Sequence, residues 1–307
     1  MTADRANAQV FPSKYVRIVV PYPAGGGTDI VTRIVADGLA QRWTQQVIVD
    51  NRPGASGNIG AEIVSKAPAD GHTLLVIPLD LVINSALFTK LSYDALRDFA
   101  PISSIVSSNL VIAAHPSLQV NSVAELVAKA KRQPGRISYA SCGNGTPQQI
   151  VGEMLKTAAG IHLVHVPYKG CAPAQLDAIS GHVALVITAA GNLVPFFRSG
   201  KLVPLAVTAT VRHSQLPEVP TMIEAGFADF SMTNWMALLA PAKTPAAVIE
   251  EINAGVAALL ADPIQSRKIV DRGFDPFPST PAEMRSRIER DKERFGAIVR
   301  QLGVRVD

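Results

Sequence analysis

The sequence predicts an α/β protein built as two lobes, each a mostly parallel sheet flanked by helices. Three observations predict it. At 307 residues the chain exceeds one ordinary compact core. Short β-branched runs alternate with helical patterns through most of its length, the pattern of a parallel sheet covered by helices. No low-complexity linker separates the halves, so the chain crosses between lobes along ordinary strands, with Asn109–Ala114 and Ser231–Ala240 as candidates. Residues 14–110 and 236–307 then form a discontinuous lobe I, residues 111–235 lobe II, and residues 1–13 an N-terminal tail.

The elements follow in order. Val16–Val20 reads as a strand, followed by a Pro/Gly loop and a helix from about Thr28 to Trp43, where Ile30, Val31, Ile34, Val35 and Leu39 share one face. A strand Val47–Val49, a turn at Asp50–Gly54, a helix over Ile59–Lys66 and a strand His72–Ile77 come next. In the second half Asn109–Ala114 is a strand, and Ser122–Lys131 a helix with Ser122 and Glu125 as a capping box. Strands at Ile137–Ala140, Leu163–Val166, Val183–Ile187 and Val203–Val207 alternate with helices. Pro245–Leu260, Pro263–Arg272 and Pro281–Gln301 close the chain as helices, with Thr244, Asp262 and Thr280 each poised to cap the proline after it.

Composition excludes several classes. Hydrophobic residues are 48% and charged residues 18%, which suits a folded globular chain. No apolar run reaches the ~18 residues of a membrane span. The net charge of +4 is scattered, and aromatics, at 6%, do not interleave with Arg or Lys, so no nucleic-acid partner is expected. The six histidines form no zinc motif, and neither a metal nor a cofactor is expected. No Gly-x-Ser-x-Gly elbow or Ser-x-x-Lys is present, so no nucleophile–base pair stands out.

The most informative feature is an internal echo. Arg17-Ile-Val-Val-Pro-Tyr-Pro-Ala-Gly-Gly-Gly-Thr-Asp-Ile30 and Arg136-Ile-Ser-Tyr-Ala-Ser-Cys-Gly-Asn-Gly-Thr-Pro-Gln-Gln-Ile150 each read strand, glycine turn, threonine, helix. A helix N-terminus presents unpaired N–H groups at the positive end of aligned peptide dipoles, and glycines let the preceding chain approach a ligand. One such unit is an anion site; two, facing each other, form a clamp at the carboxyl ends of the strands. The second unit is also explicable as a Thr146–Gln149 capping box. The first resembles a dinucleotide fingerprint with Ile30 in place of the third small residue, and Asp29 would repel a pyrophosphate.

The pieces Val19-Val-Pro-Tyr-Pro-Ala-Gly-Gly-Gly-Thr-Asp29, Val49-Asp-Asn-Arg-Pro-Gly-Ala-Ser-Gly-Asn-Ile-Gly60 and Pro68-Ala-Asp-Gly-His-Thr-Leu-Leu75, with His165-Val-Pro-Tyr-Lys-Gly170 and Val219-Pro-Thr221 in the same order, resemble the Bug (Bordetella uptake gene) family. These are substrate-binding proteins of tripartite tricarboxylate transporters. The resemblance implies a two-lobed periplasmic binding fold of type II with a two-strand hinge, a monomer, export with the signal peptide removed, and delivery of a small carboxylate (dicarboxylate, aromatic acid or amino acid) to the transporter's membrane components. Carried over by position, it implies ligand contacts from Tyr22, Ala24, Gly25, Gly26, Thr28 and Asp29, and from Ser141, Gly143, Asn144, Gly145, Thr146 and Gln149. Tyr168, Thr188 and Ala189 join them from other strand ends.

This chain departs from the family pattern at three places. Gln149-Ile150 replaces the usual His-Leu, Asp80 stands where small hydroxyl residues are usual, and Ala184 and Thr188 take the approximate places of aspartates. Asp80 either opposes a second ligand carboxylate, pairs with a ligand amine, or turns outward. A less charged pocket leans toward an apolar or aromatic acid. Cys142 and Cys171 both fall in loops on the cleft side; they are candidates for a periplasmic disulfide, but the expectation is two independent small residues. Two alternatives to uptake remain: an enzyme acting on a dinucleotide or acyl substrate in the same cleft, and a ligand sensor that no longer serves transport.

Overall fold

The computed structural model describes residues 11–213 and 215–303, so most of the expected N-terminal tail lies outside the described residues. The chain runs β1 (Val16–Val20), α1 (Gly27–Trp43), β2 (Val47–Asn51), α2 (Asn58–Ser65), β3 (Thr73–Pro78), α3 (Asp80–Leu87), β4 (Phe99–Ala114), α4 (Val123–Arg132), β5 (Ile137–Ser141) and α5 (Pro147–Ala159). It continues through β6 (Leu163–Pro167), α6 (Cys171–Ile179), β7 (Leu185–Ala189), α7 (Ala190–Arg198), β8 (Val203–Val207), β9 (Thr233–Pro241), α8 (Ala246–Ala261), α9 (Pro263–Val270), β10 (Asp275–Pro276) and α10 (Pro281–Leu302).

The fold is α/β, but the sheet is mixed rather than mostly parallel. Its order is β2-β1-β3-β9-β4-β7-β5-β6, with β8 and β10 also paired to β4. The β1–β2, β1–β3, β5–β6 and β5–β7 pairs are parallel, joined by helix-containing crossovers. Every partner of β4 is antiparallel, as is the β3–β9 pair, because the chain returns through β9 rather than crossing by a helix. Strand β4 is ten residues longer than the six read from sequence. Its first part pairs with β9 and its last part with β7 and β8, with register shifts between Pro101 and Ser103 and between Ser104 and Val106. Its serines hid it: Ser103 and Ser104 are fully buried, and their hydroxyls donate to the carbonyls of Ser279 and Phe277.

Three apolar clusters hold the layers. Val16, Ile18, Val31, Val35 and Leu39 meet Ile252 and Val256 of α8 on one face. Leu75, Ile77, Leu87, Ile112 and Ile150 join Met284, Ile288 and Phe295 of α10 in the largest cluster. Val111, Val186, Leu193 and Val207 form the third, around α6 and α7.

The capping expectations fare unevenly. Thr280 and Glu283 form a full capping box on α10, and Asp262 caps α9. Ser122 accepts from the Glu125 amide, while Glu125 reaches back to the Asn121 amide instead of Ser122. Pro245, not Thr244, is the N-cap of α8; the Thr244 hydroxyl instead donates to the Pro241 carbonyl. Helix α3 was not anticipated: Val76-Ile-Pro-Leu-Asp-Leu-Val-Ile83 is almost continuously apolar, so periodicity does not separate the end of β3 from the start of a buried helix.

Candidate functional site

Strands β1 and β3 are parallel neighbours, and so are β5 and β7. Within each pair the carboxyl ends therefore lie side by side, and each leads into a helix: α1, α3, α5 and α7. None of these four helices has a side chain capping its first turn. Helices α4, α9 and α10 are capped by Ser122, Asp262 and Thr280, whereas α2, α6 and α8 also start without a side-chain cap. Uncapped N-termini leave N–H groups for another acceptor.

Two close contacts bracket the loop Pro23–Asp29. On one side the Ser56 hydroxyl donates to the Asn144 carbonyl at 2.7 Å, joining the segment before α2 to the β5–α5 loop. A Cβ built on Gly145, whose φ is +77°, would lie 3.1 Å from Leu87 and 3.3 Å from the Ser56 Oγ, so these loops touch. On the other side Phe274 covers Gly27, and Gly273 meets Gly191 backbone to backbone: a Cβ on Gly191 would stand 2.0 Å from the Gly273 Cα. Pro23, Ala24, Gly25 and Gly26 stay exposed between these contacts.

Some expected ligand residues already have partners. Asp29 is buried, and both its oxygens are used. Its Oδ2 accepts from the Gly25 amide at 2.9 Å and Arg33 Nε at 3.0 Å; its Oδ1 accepts from Asn51 Nδ2 at 2.9 Å and pairs with the Arg33 guanidinium at 2.9 Å. Burial alone would raise this carboxyl, but the Arg33, Gly25 and Asn51 hydrogen bonds outweigh it and hold the group below the usual range. Asp29 thus shapes the loop, and the Gly25 amide is turned to it.

The β5–α5 loop is braced in the same way. Gln149 Oε1 accepts from the Gly145 amide at 2.7 Å, and the Thr146 hydroxyl donates to the Gly143 carbonyl at 2.8 Å, so the expected Thr146–Gln149 capping box does not form. The Ser141 Oγ donates to the Gly143 carbonyl and lies 2.6 Å from His165 Nε2. Burial lowers the His165 imidazole. The Tyr168 hydroxyl donates to Asp177 at 2.7 Å, and burial together with that carboxylate pushes it up to about 12. Thr188 is buried and accepts from Gln175 Nε2; Ala189 ends β7 at the start of α7.

Cys142 and Cys171 form a disulfide, which overturns the expectation of two independent residues. The parallel β5–β6 pair sets Ser141 opposite Pro167, and the Gly170 amide donates to the Cys142 carbonyl at 3.0 Å. The two Cα atoms are consequently 4.3 Å apart, close enough to bridge.

Asp80 does not turn outward. It is buried in the first turn of α3 beside Tyr22 and Tyr93. Desolvation pushes its carboxyl up to about 7. The Tyr22 hydroxyl faces Asp80 without completing a hydrogen bond of normal geometry, and Asn84 Oδ1 is likewise buried without a partner among the described residues. Both sit next to the Ser56–Gly145 contact: Asn84 Nδ2 donates to the Ser56 carbonyl and to Asn58 Oδ1, which also accepts from Tyr93.

Sequence reasoning missed Ser56, Asn58, Asn84 and Tyr93. The signal for Ser56 lay in the motif Asn51-Arg-Pro-Gly-Ala-Ser-Gly57, where Ala55 and Ser56 adopt positive φ of 47° and 53°. Two adjacent non-glycine residues in that region mark a constrained site. Among the described residues no group of His, Cys, Asp or Glu could hold a metal, and no helix is long and apolar enough to cross a membrane.

A mixed α/β sheet with helices following the carboxyl ends of β1, β3, β5 and β7 is the architecture of the periplasmic solute-binding class. Residues 31–304 match the model of the tripartite tricarboxylate transporter family receptor, and the chain belongs to that family. It is 31% identical to BugT of Bordetella pertussis over 310 residues, covering 99% of this chain and 94% of the relative. Among solved structures it is similar to an R. palustris protein with adipate (32% identity, TM-score 0.90, 96% of this chain and 99% of that one). It is also similar to MatC from Rhodopseudomonas palustris with bound malate (28% identity, TM-score 0.86, 94% of this chain and 100% of that one). As a member of this family the chain is a periplasmic solute receptor and not an enzyme.

Proposed function

We propose that this receptor closes two lobes on a small carboxylate and presents the closed form to the membrane components of a tripartite tricarboxylate transporter. Residues 14–110 and 236–307 form one lobe and residues 111–235 the other, with β4 near Ala113 and β9 near Trp235 as the hinge strands. The observation that carries the reading is the convergence of α1, α3, α5 and α7, uncapped, on the gap between the Ser56–Asn144 and Gly191–Gly273 contacts. Backbone amides at such ends bind an anion without a charged side chain, and ordered water bridges where direct reach is short. Similarity to proteins holding adipate and malate supports the carboxylate class.

Within this reading Ala24, Gly26 and Thr28 on one side, and Asn144, Thr146 and Ala189 on the other, supply the contacts. Asp29, Ser141, Gly143, Gly145 and Gln149 hold the loops in shape. A second carboxylate placed near Asp80 meets a neutral acid only below about pH 7, which favours a monocarboxylate, or a ligand with an amine or hydroxyl at that end.

A thermal-shift screen of mono-, di- and tricarboxylates, aromatic acids and amino acids tests this. At least one acid should stabilise the protein saturably, and Ala24→Asp, which sets a carboxylate at the exposed mouth of α1, should weaken it tenfold or more. Stabilisation by none of these classes would sink the reading, and recovery of a chemically altered acid would return the enzymatic alternative.

A further inference from the structure

A cavity of about 300 Å³ lies outside the gap just described, where α10 faces the start of β9. Its wall carries Arg287, Arg290 and Arg294, one helical face of α10, opposite the Thr210, Ser231 and Thr233 side of the molecule. Trp235 and Phe295 line it from within the core. A second cavity of about 580 Å³ continues along α10 and shares Arg287 and Arg290.

The charge in this wall is not balanced. Asp291 is the one acidic residue lining the smaller cavity, and its Oδ2 already accepts from Trp235 Nε1 at 2.6 Å. Arg294 donates to the Ser231 carbonyl at 2.7 Å and to its hydroxyl at 3.2 Å, and Arg290 to the Ser286 carbonyl at 3.3 Å; Asp291 is the one carboxylate that faces all three arginines, with Glu283 also near Arg287, so positive charge exceeds negative here. Arg287 is half-buried, with its guanidinium stacked 4.4 Å from the centre of the Phe277 ring. Its Nε is buried and has no hydrogen-bond partner among the described residues. A desolvated guanidinium donor without an acceptor is costly, and planar guanidinium forks match carboxylate and phosphate oxygens.

We infer that this cavity is a second anion site, built by Arg287, Arg290 and Arg294 with the Ser231 and Thr233 hydroxyls, that takes a small oxyanion of carboxylate or phosphate chemistry. Arg287 supplies the buried donor; Arg290 and Arg294 close over the outer oxygens. The site shares no residue with the glycine loops. It joins α10 to the beginning of β9, so an anion bound there ties the helix to the strand through both Arg294 and Ser231.

Isothermal titration of the full chain with inorganic phosphate, and separately with succinate, at an ionic strength fixed with sodium chloride, tests the inference. The Trp43→Phe variant leaves Trp235 as the only tryptophan, and its fluorescence reports on the cavity wall. The expected result is saturable binding of one or both anions, a matching Trp235 response, and at least tenfold weaker binding in both Arg287→Gln and Arg290→Gln. Phosphate alone identifies a phosphate site; binding of succinate that the arginine variants weaken identifies a carboxylate site. Absence of saturable binding by either anion, or binding that neither arginine substitution alters, overturns the inference. Arg290 is exposed, so its variant keeps the test decisive should Arg287→Gln unfold the protein.

Discussion

Asp80 is the residue whose ionisation the fold alters most usefully. In an unfolded chain its carboxyl titrates near ~4. In the folded protein burial raises it to about 7, with Tyr22 and Tyr93 the titratable groups that face it. Between those pH values the folded state holds a proton that the unfolded chain has released. This contribution is therefore full below about pH 4 and is lost as pH rises through about 7. Asp80→Asn keeps the neutral shape at every pH. It should match the parent's unfolding free energy near pH 4 and exceed it at pH 8, by about 4 kcal/mol at most. Urea melts at the two pH values check this, and an equal difference at both would show that Asp80 is ionised throughout. Asp80 stood out in the sequence because it replaces the small hydroxyl residues usual at that place. Its burial was not legible there, because Tyr22 and Tyr93 reach it only through the packing of β1, β3 and α3. The Asp29–Arg33 pair, in contrast, stands at helical spacing i, i+4, a pairing that the sequence itself displays.

At the scale of elements, the two glycine loops were legible as a pair because each repeats strand, glycine turn and helix. What fixes the second loop was not. The Cys142–Cys171 bridge depends on β5 and β6 lying side by side, and a separation of 29 residues says nothing of that. Closing such a loop restricts the unfolded chain by roughly 3–4 kcal/mol in the chain-entropy account. Protein denatured without reductant should therefore take up no alkylating reagent, and the double variant Cys142→Ser, Cys171→Ser should lose about 3 kcal/mol of stability. Two alkylated thiols per chain would contradict the bridge. The missing side-chain caps on α1, α3, α5 and α7 also speak at this scale: Gly26 and Ala189 at two of the N-cap positions showed it in the sequence, whereas Thr146 concealed it by offering a hydroxyl that turns to Gly143 instead.

At the scale of the whole molecule, two glycines permit a close backbone contact between the first turn of α7 and the segment before β10. Gly191 lies in the first turn of α7 without positive φ, so alanine suits its local conformation, yet any Cβ there meets Gly273. If the lobes part and close around a ligand as proposed, Gly191→Ala raises the free energy of the closed state alone. An increase of about 1.4 kcal/mol weakens apparent affinity tenfold. The variant should melt within a few degrees of the parent without ligand, bind the acid found by the screen at least tenfold more weakly, and keep its unliganded radius in small-angle scattering at ligand concentrations that compact the parent. Unchanged affinity would refute the latch. The mixed sheet was not legible in the sequence, since β9 gives no local sign that it enters between β3 and β4.

That insertion has a consequence for how the protein comes into being. Strand β3 ends at Pro78 and β4 begins at Phe99, yet the strand that joins them, β9, begins only at Thr233. A chain emerging from its N-terminus thus exposes two unpaired strand edges while more than a hundred further residues arrive. Such long-range pairing slows folding, and open edges invite pairing with other chains. The last third of the polypeptide is accordingly the step that completes the sheet, and any delay between the appearance of β4 and that of β9 is when this molecule is most exposed to aggregation.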